Sequence, residues 1–112
     1  MPNFLVQFSY ASRTIRDLVD RPEVDHAGEA SSMVASLGAK LLGYWYAFGR
    51  FDGVVLVEAP DTSTAASIAM AIGGTGEVTS LETTVLLTMR EAQQAMRNAA
   101  SATHLPPGHE KE

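Results

Sequence analysis

The sequence predicts an α+β fold: one antiparallel sheet with helices on one face, in the order β-α-β-β-α-β, followed by a further helix. Three observations predict it. Three stretches alternate along the chain with the period of two that a strand imposes, and a fourth, "VVLVEA", is a short run of branched apolar residues. The segments between them repeat apolar residues at helical spacing. In the middle, two strand-like stretches are joined by nothing longer than "GRFDG", a hairpin flanked by two crossover segments. With 112 residues there is room for one core, taken as residues 1–100, and a polar tail at 101–112.

"NFLVQFSYAS" opens the chain with Phe4, Val6, Phe8 and Tyr10 in alternation. Ser12 is placed to cap the next helix, which has an apolar edge of Ile15, Leu18 and Val19. Pro22 breaks or restarts it, since proline lacks a donor and clashes with the preceding turn. Ala30, Met33, Val34 and Leu37 then form a stripe at i, i+3, i+4 and i+7, closed by Gly38 as a left-handed cap. In "AKLLGYWYAF" Tyr44, Tyr46 and Phe48 fall on one face, and Gly43, Trp45 and Ala47 on the other. "VVLVEA" completes the hairpin and Pro60 ends it. Asp61 caps a small-residue helix with the stripe Ala65, Ile68, Ala69 and Ile72, stopped by "GGTG". Residues 77–88 alternate through Leu81, Thr83, Val85 and Leu87. Thr88 and Glu91 have capping-box spacing, opening a helix that aligns Ala92, Ala95, Met96 and Ala99. The tail, "SATHLPPGHEKE", is expected to be mobile. Strand order of this kind with a central hairpin is ferredoxin-like.

Composition excludes several functions. A formal net charge of −5 is wrong for a phosphate-backbone partner, so no nucleic acid is expected. No apolar run reaches the roughly 20 residues of a bilayer span, and "MPNFLVQFSY" lacks the basic lead and apolar core of a signal peptide. The absence of cysteine excludes disulfides and thiol chemistry and fits a reducing cytoplasm. Val54, Val55, Leu56 and Val57 are apolar on both faces of their strand, and "LLGYWYAF" is similar. A sheet covered by helices on one side only should turn polar on the other. A second copy is the economical cover, and a homodimer or higher homo-oligomer is expected.

"LGAKLLGYWYAFGRFDGVVLVEAPD" resembles the signature of the GYD domain family, and the likeness extends over about residues 3–90, including "FLVQFSY" and "ETTVLLT". The resemblance implies a ferredoxin-like fold related to the dimeric α+β barrels, and carries no reaction with it. Phe51 stands where the family has its tyrosine, so no role for that hydroxyl is carried over.

Candidate site residues follow from chemistry. Tyr44, Trp45 and Tyr46 offer an aromatic pocket with hydrogen-bonding ends, although neighbours alternate faces and not all can line one pocket. Tyr10 adds a third phenol. His26, at the edge of a helical stripe, could serve as base or ligand. Asp52, before Gly53, is either an acid at the site or a turn carboxylate bonded to backbone amides. Glu58 and Glu82 within strands could serve as a carboxylate pair for acid–base work; the plainer account is edge-strand charges that discourage sheet stacking. His26, His104 and His109 make no spaced metal set, and no metal or cofactor is expected. "GGTGE" follows a helix and precedes a strand, the reverse of a phosphate loop. The function these residues favour is an oligomer binding a small, partly apolar or aromatic ligand between sheet and helices. The alternatives are a cofactor-independent oxygenase- or isomerase-like enzyme and a purely structural subunit.

Overall fold

The computed structural model of the chain describes residues 1–103. It contains β1 (Asn3–Tyr10), α1 (Ser12–Asp20), α2 (His26–Ser36), β2 (Lys40–Tyr46), β3 (Gly53–Glu58), α3 (Thr62–Gly73), β4 (Val78–Leu86) and α4 (Met89–Ala100). All strand pairs are antiparallel, and the sheet order is β2-β3-β1-β4. This is the ferredoxin-like arrangement expected from the element order. The tail expectation falls, from His104 onward, outside the described residues.

Local signals act where the sequence places them. The chain leaves α1 just before Pro22, and Gly38 takes φ 82, the left-handed value a glycine cap needs. Asp61 caps α3, accepting from the Thr64 N–H and from its hydroxyl, both at 2.8 Å. Those bonds hold its carboxyl below the usual carboxylate range. Thr88 and Glu91 form a reciprocal capping box at the start of α4. Ser12 does not cap α1. Ala11 occupies that position without a side-chain bond, and the start of the helix is tied down through the Glu77 carbonyl oxygen, which accepts from the Ala11 N–H and the Thr14 hydroxyl, both at 2.8 Å.

The core lies between the sheet and α2 and α3. Phe4, Val6 and Phe8 of β1 stand opposite Val57, Val55 and Gly53 of β3, and all six are buried. Val34 from α2 and Ala65 and Ile68 from α3 close over them. Each large apolar side chain so buried contributes about 1.5–3 kcal/mol.

The sheet's other face presents Leu5 beside Leu56, and Val54 beside Trp45. Leu5, Val54 and Leu56 stay half-buried, and Trp45 is exposed. Its indole lies over Gly43, where any Cβ would strike the ring. Two strand expectations change here. Phe48 lies beyond β2 and is fully exposed, because the strand ends at Tyr46, where the chain turns into the hairpin connection. Glu58 sits on the interior strand β3, not an edge, and stands opposite Lys40 and Asn3. Glu82 is on the edge strand and pairs with Arg50 at 3.3 Å. The apolar stripe of α4 meets no core: none of its residues is buried.

Candidate functional site

A β-bulge aims the aromatic residues of β2. Leu41 stands opposite Val57 and Gly43 opposite Leu56, so Leu42 is an extra residue in the ladder. Without it, Leu41 and Tyr44 would face opposite sides. With it, both turn toward the helices, and Tyr46 follows Tyr44. From β1, Phe8 and Tyr10 reach the same place. The rings meet edge-on, Phe8 to Tyr10 at 5.4 Å and Phe8 to Tyr44 at 6.2 Å between centroids. The phenol oxygens of Tyr10 and Tyr44 share a hydrogen bond of 2.6 Å. Gly53 makes this possible. A Cβ there would run into the Phe8 ring and come within 3.1 Å of the Tyr10 hydroxyl.

Across from these rings, α2 supplies His26, Glu29, Ala30 and Met33, while the end of α3 and the loop after it supply Ile72, Thr75 and Glu77. Between the two walls lies a cavity of about 210 Å³. The loop is firmly tied. Gly76 adopts φ 75, and its carbonyl oxygen accepts from Arg13 at 2.8 Å. The Glu77 carbonyl oxygen accepts from the Ala11 N–H and the Thr14 hydroxyl, both at 2.8 Å. "GGTGE" thus serves to hold Thr75 and Glu77 at the cavity wall.

Burial pushes both phenols above the ordinary tyrosine range. For Tyr10 the hydrogen bond to Tyr44 and the charge on Asp52 add to the effect. For Tyr44 burial leads, the hydrogen bond with Tyr10 works against it, and the nearby acidic groups of Tyr46, Glu77 and Glu29 add to the rise. Both therefore remain protonated at neutral pH and act as hydrogen-bonding groups, not bases. Among the described residues neither hydroxyl bonds to an imidazole or a carboxylate. His26 Nδ1 lies 3.8 Å from Glu29 Oε2.

Asp52 has a separate place. Its Oδ2 accepts from the Tyr10 N–H at 3.0 Å, and its own N–H donates to the Phe8 carbonyl oxygen at 2.9 Å. The carboxylate therefore extends the β1–β3 ladder past Gly53, bonding to β1 and not to amides within the hairpin. Asp52 also borders a second hollow of about 420 Å³, formed by Ile15, Leu18, Val19 and Pro22 of the α1 region with Tyr10 and Tyr46.

The six candidates thus divide. Tyr10, Tyr44 and His26 share the cavity between sheet and helices; Tyr10, Tyr46 and Asp52 border the second hollow; Trp45 belongs to the opposite face. Glu29 and Glu77 did not stand out in the sequence, and Gly53 read only as a turn former. Glu29 lies three residues from His26 on α2, a spacing that could have flagged it. Nothing local marks Glu77. The described residues hold no group of three or more His, Asp or Glu side chains suited to a metal, and no described helix is long and apolar enough to cross a membrane.

The family model described as GYD domain matches residues 4–96. No curated protein matches the sequence. Among solved structures, the crystal structure of FFRP-DM1 superimposes with a TM-score of 0.52 at 14% identity, covering 78% of this chain and 100% of that one. The crystal structure of MtbAldR gives 0.51 at 13%, covering 78% of this chain and 52% of that one. At such identities the likeness is one of fold.

Proposed function

We propose that this chain, which belongs to the GYD domain family, is a binding module that takes a small, partly apolar molecule into the cavity between its sheet and helices. The observation that carries this reading is the cavity itself: apolar walls with two protonated phenols held in one hydrogen bond. Its volume lies below the roughly 300–1,000 Å³ of drug-sized pockets, which points to a small occupant. The enzyme alternative rests on His26 and the neighbouring Glu29 in the same cavity, but among the described residues neither phenol bonds to either of them. A fragment titration followed by NMR tests the binding reading. Ligands should shift resonances of Tyr10, Tyr44 and Ala30, and Ala30→Trp, which fills the opening, should abolish those shifts. Hits confined to other surfaces would overturn it.

The same reading includes a homo-oligomer. Leu5, Val54, Leu56 and Trp45 make an apolar stripe on the uncovered sheet face, flanked by Lys40, Glu58 and the Arg50–Glu82 pair. A second copy turned about a two-fold axis would bury that stripe against itself. Light scattering at micromolar concentration should give at least a dimer, and Leu56→Arg should reduce it to monomer; a wild-type monomer defeats this part of the proposal. The lack of cysteine supports a cytoplasmic setting.

A further inference from the structure

The charges around the cavity are of one sign. Glu29 and Glu77 stand in its lining, and no Lys or Arg does among the described residues. The imidazole of His26 also lines it, 3.8 Å from the Glu29 carboxylate. Arg13 spends its guanidinium on the Gly76 carbonyl oxygen and is not part of the wall.

Both carboxylates are close enough to act electrostatically on the Tyr44 phenol. The position of Glu77 is built, since three hydrogen bonds secure its backbone: two into its carbonyl oxygen, and one from its N–H to the Thr75 hydroxyl at 3.1 Å. Opposite them stand the rings of Phe8, Tyr10 and Tyr44, set edge-to-face. Aromatic faces attract cations through their quadrupole, and carboxylates at a rim concentrate them. An anion entering here would meet two like charges and, among the described lining residues, no Lys or Arg, with the one imidazole already facing Glu29.

We infer that the cavity selects a small organic cation, an ammonium group carried on an apolar or aromatic body. The ammonium would lie between the carboxylate rim and the phenol pair, with the body against Phe8, Met33 and Ile72. This rests on the binding reading above and adds the chemical class of the ligand.

Three probes of one shape and different charge test it: benzylammonium, benzyl alcohol and benzoate, titrated calorimetrically into the full chain. Benzylammonium should bind about tenfold more tightly than benzoate. In the Glu29→Gln/Glu77→Gln double variant its affinity should fall to about that of the alcohol, whose own affinity stays unchanged. Both glutamates are exposed, so the variant should fold. As an independent check on the wild type, raising salt to about 0.5 M should weaken the ammonium and spare the alcohol. If benzoate binds as well as benzylammonium, or the double variant keeps the preference, the cation inference is overturned and the binding reading stands. If none of the three probes binds, both fall.

Discussion

Tyr44 and Trp45 are consecutive in sequence, yet they belong to two different surfaces. Tyr44 turns to the helices, where its hydroxyl finds Tyr10 and burial keeps it protonated. Trp45 turns to the uncovered face with its indole against Gly43, half of its surface in contact with solvent. Each face seats an aromatic ring on a glycine, Phe8 on Gly53 inside and Trp45 on Gly43 outside. The difference is what stands above the ring. Inside, α2 and α3 leave a bounded cavity with polar groups set around it. Outside, an apolar stripe has charges only along its borders, the composition of a surface that meets another protein. In the proposed function, one alternating sheet offers the ligand site and the association surface from adjacent residues.

The contrast should be most severe in the core. Ile68→Ala removes a fully buried side chain and should cost about 2–5 kcal/mol in a denaturant titration. Leu56→Ala, on the uncovered face, should cost far less in a monomer, near the ordinary ~1 kcal/mol. A Leu56→Ala loss that approaches the Ile68 value and grows with protein concentration would show that a second copy covers the face.

The two glycines sharpen the comparison next. Gly53→Ala forces a methyl group into the Phe8 ring and should cost about 1–3 kcal/mol, with ligand binding lost as the phenol pair shifts. Gly43→Ala displaces only an exposed indole, and a smaller loss is expected. Equal losses would mean that Trp45 is as tightly held as Phe8.

Asp52 separates fold from site. Asp52→Ala removes the acceptor for the Tyr10 N–H and should cost about 0.5–1.5 kcal/mol, more if that donor is left buried and unpaired. Asp52→Asn keeps an acceptor oxygen and should be milder. An unchanged or stabilised alanine variant would instead assign the carboxylate to function.

The smallest effect is confined to alkali. The folded-state values of Tyr10 and Tyr44 are raised above the unfolded value, so the native state retains their protons after the unfolded chain has released its own. Their contribution is complete below about pH 10 and declines as pH rises beyond it. In a Tyr46→Phe background, the phenolate absorbance of the remaining two tyrosines should appear together with loss of near-ultraviolet circular dichroism. Ionisation of both near pH 10 in a folded protein would show that the cavity is wetter than the structure implies.

Much of the fold was legible because its signals are local. The alternation of β1, the break before Pro22, the cap at Gly38, the Asp61 cap and the Thr88–Glu91 box each depend on neighbours within a turn or two of chain. The family signature was legible in the hairpin for the same reason. The site was legible only as residue types: phenols, one imidazole and an aspartate, without their grouping. Ser12 misled because nothing local reveals that Thr14 reaches Glu77, and Glu58 misled because an edge strand cannot be told from an interior one by its own residues.

The sequence by itself determined the order of elements, most of their ends, and which strands are apolar on both sides. Those follow from backbone conformational preference and side-chain periodicity, which act over short separations. Only the tertiary structure decided that Tyr10 meets Tyr44, that Glu77 faces the cavity opposite them, and that Asp52 serves β1. Residues 34 apart were brought within 2.6 Å by strand register, by the extra residue at Leu42 and by the space left at Gly53. Register and packing are properties of the assembled sheet, set when the apolar faces of distant segments close on one another and every side chain must find room at once.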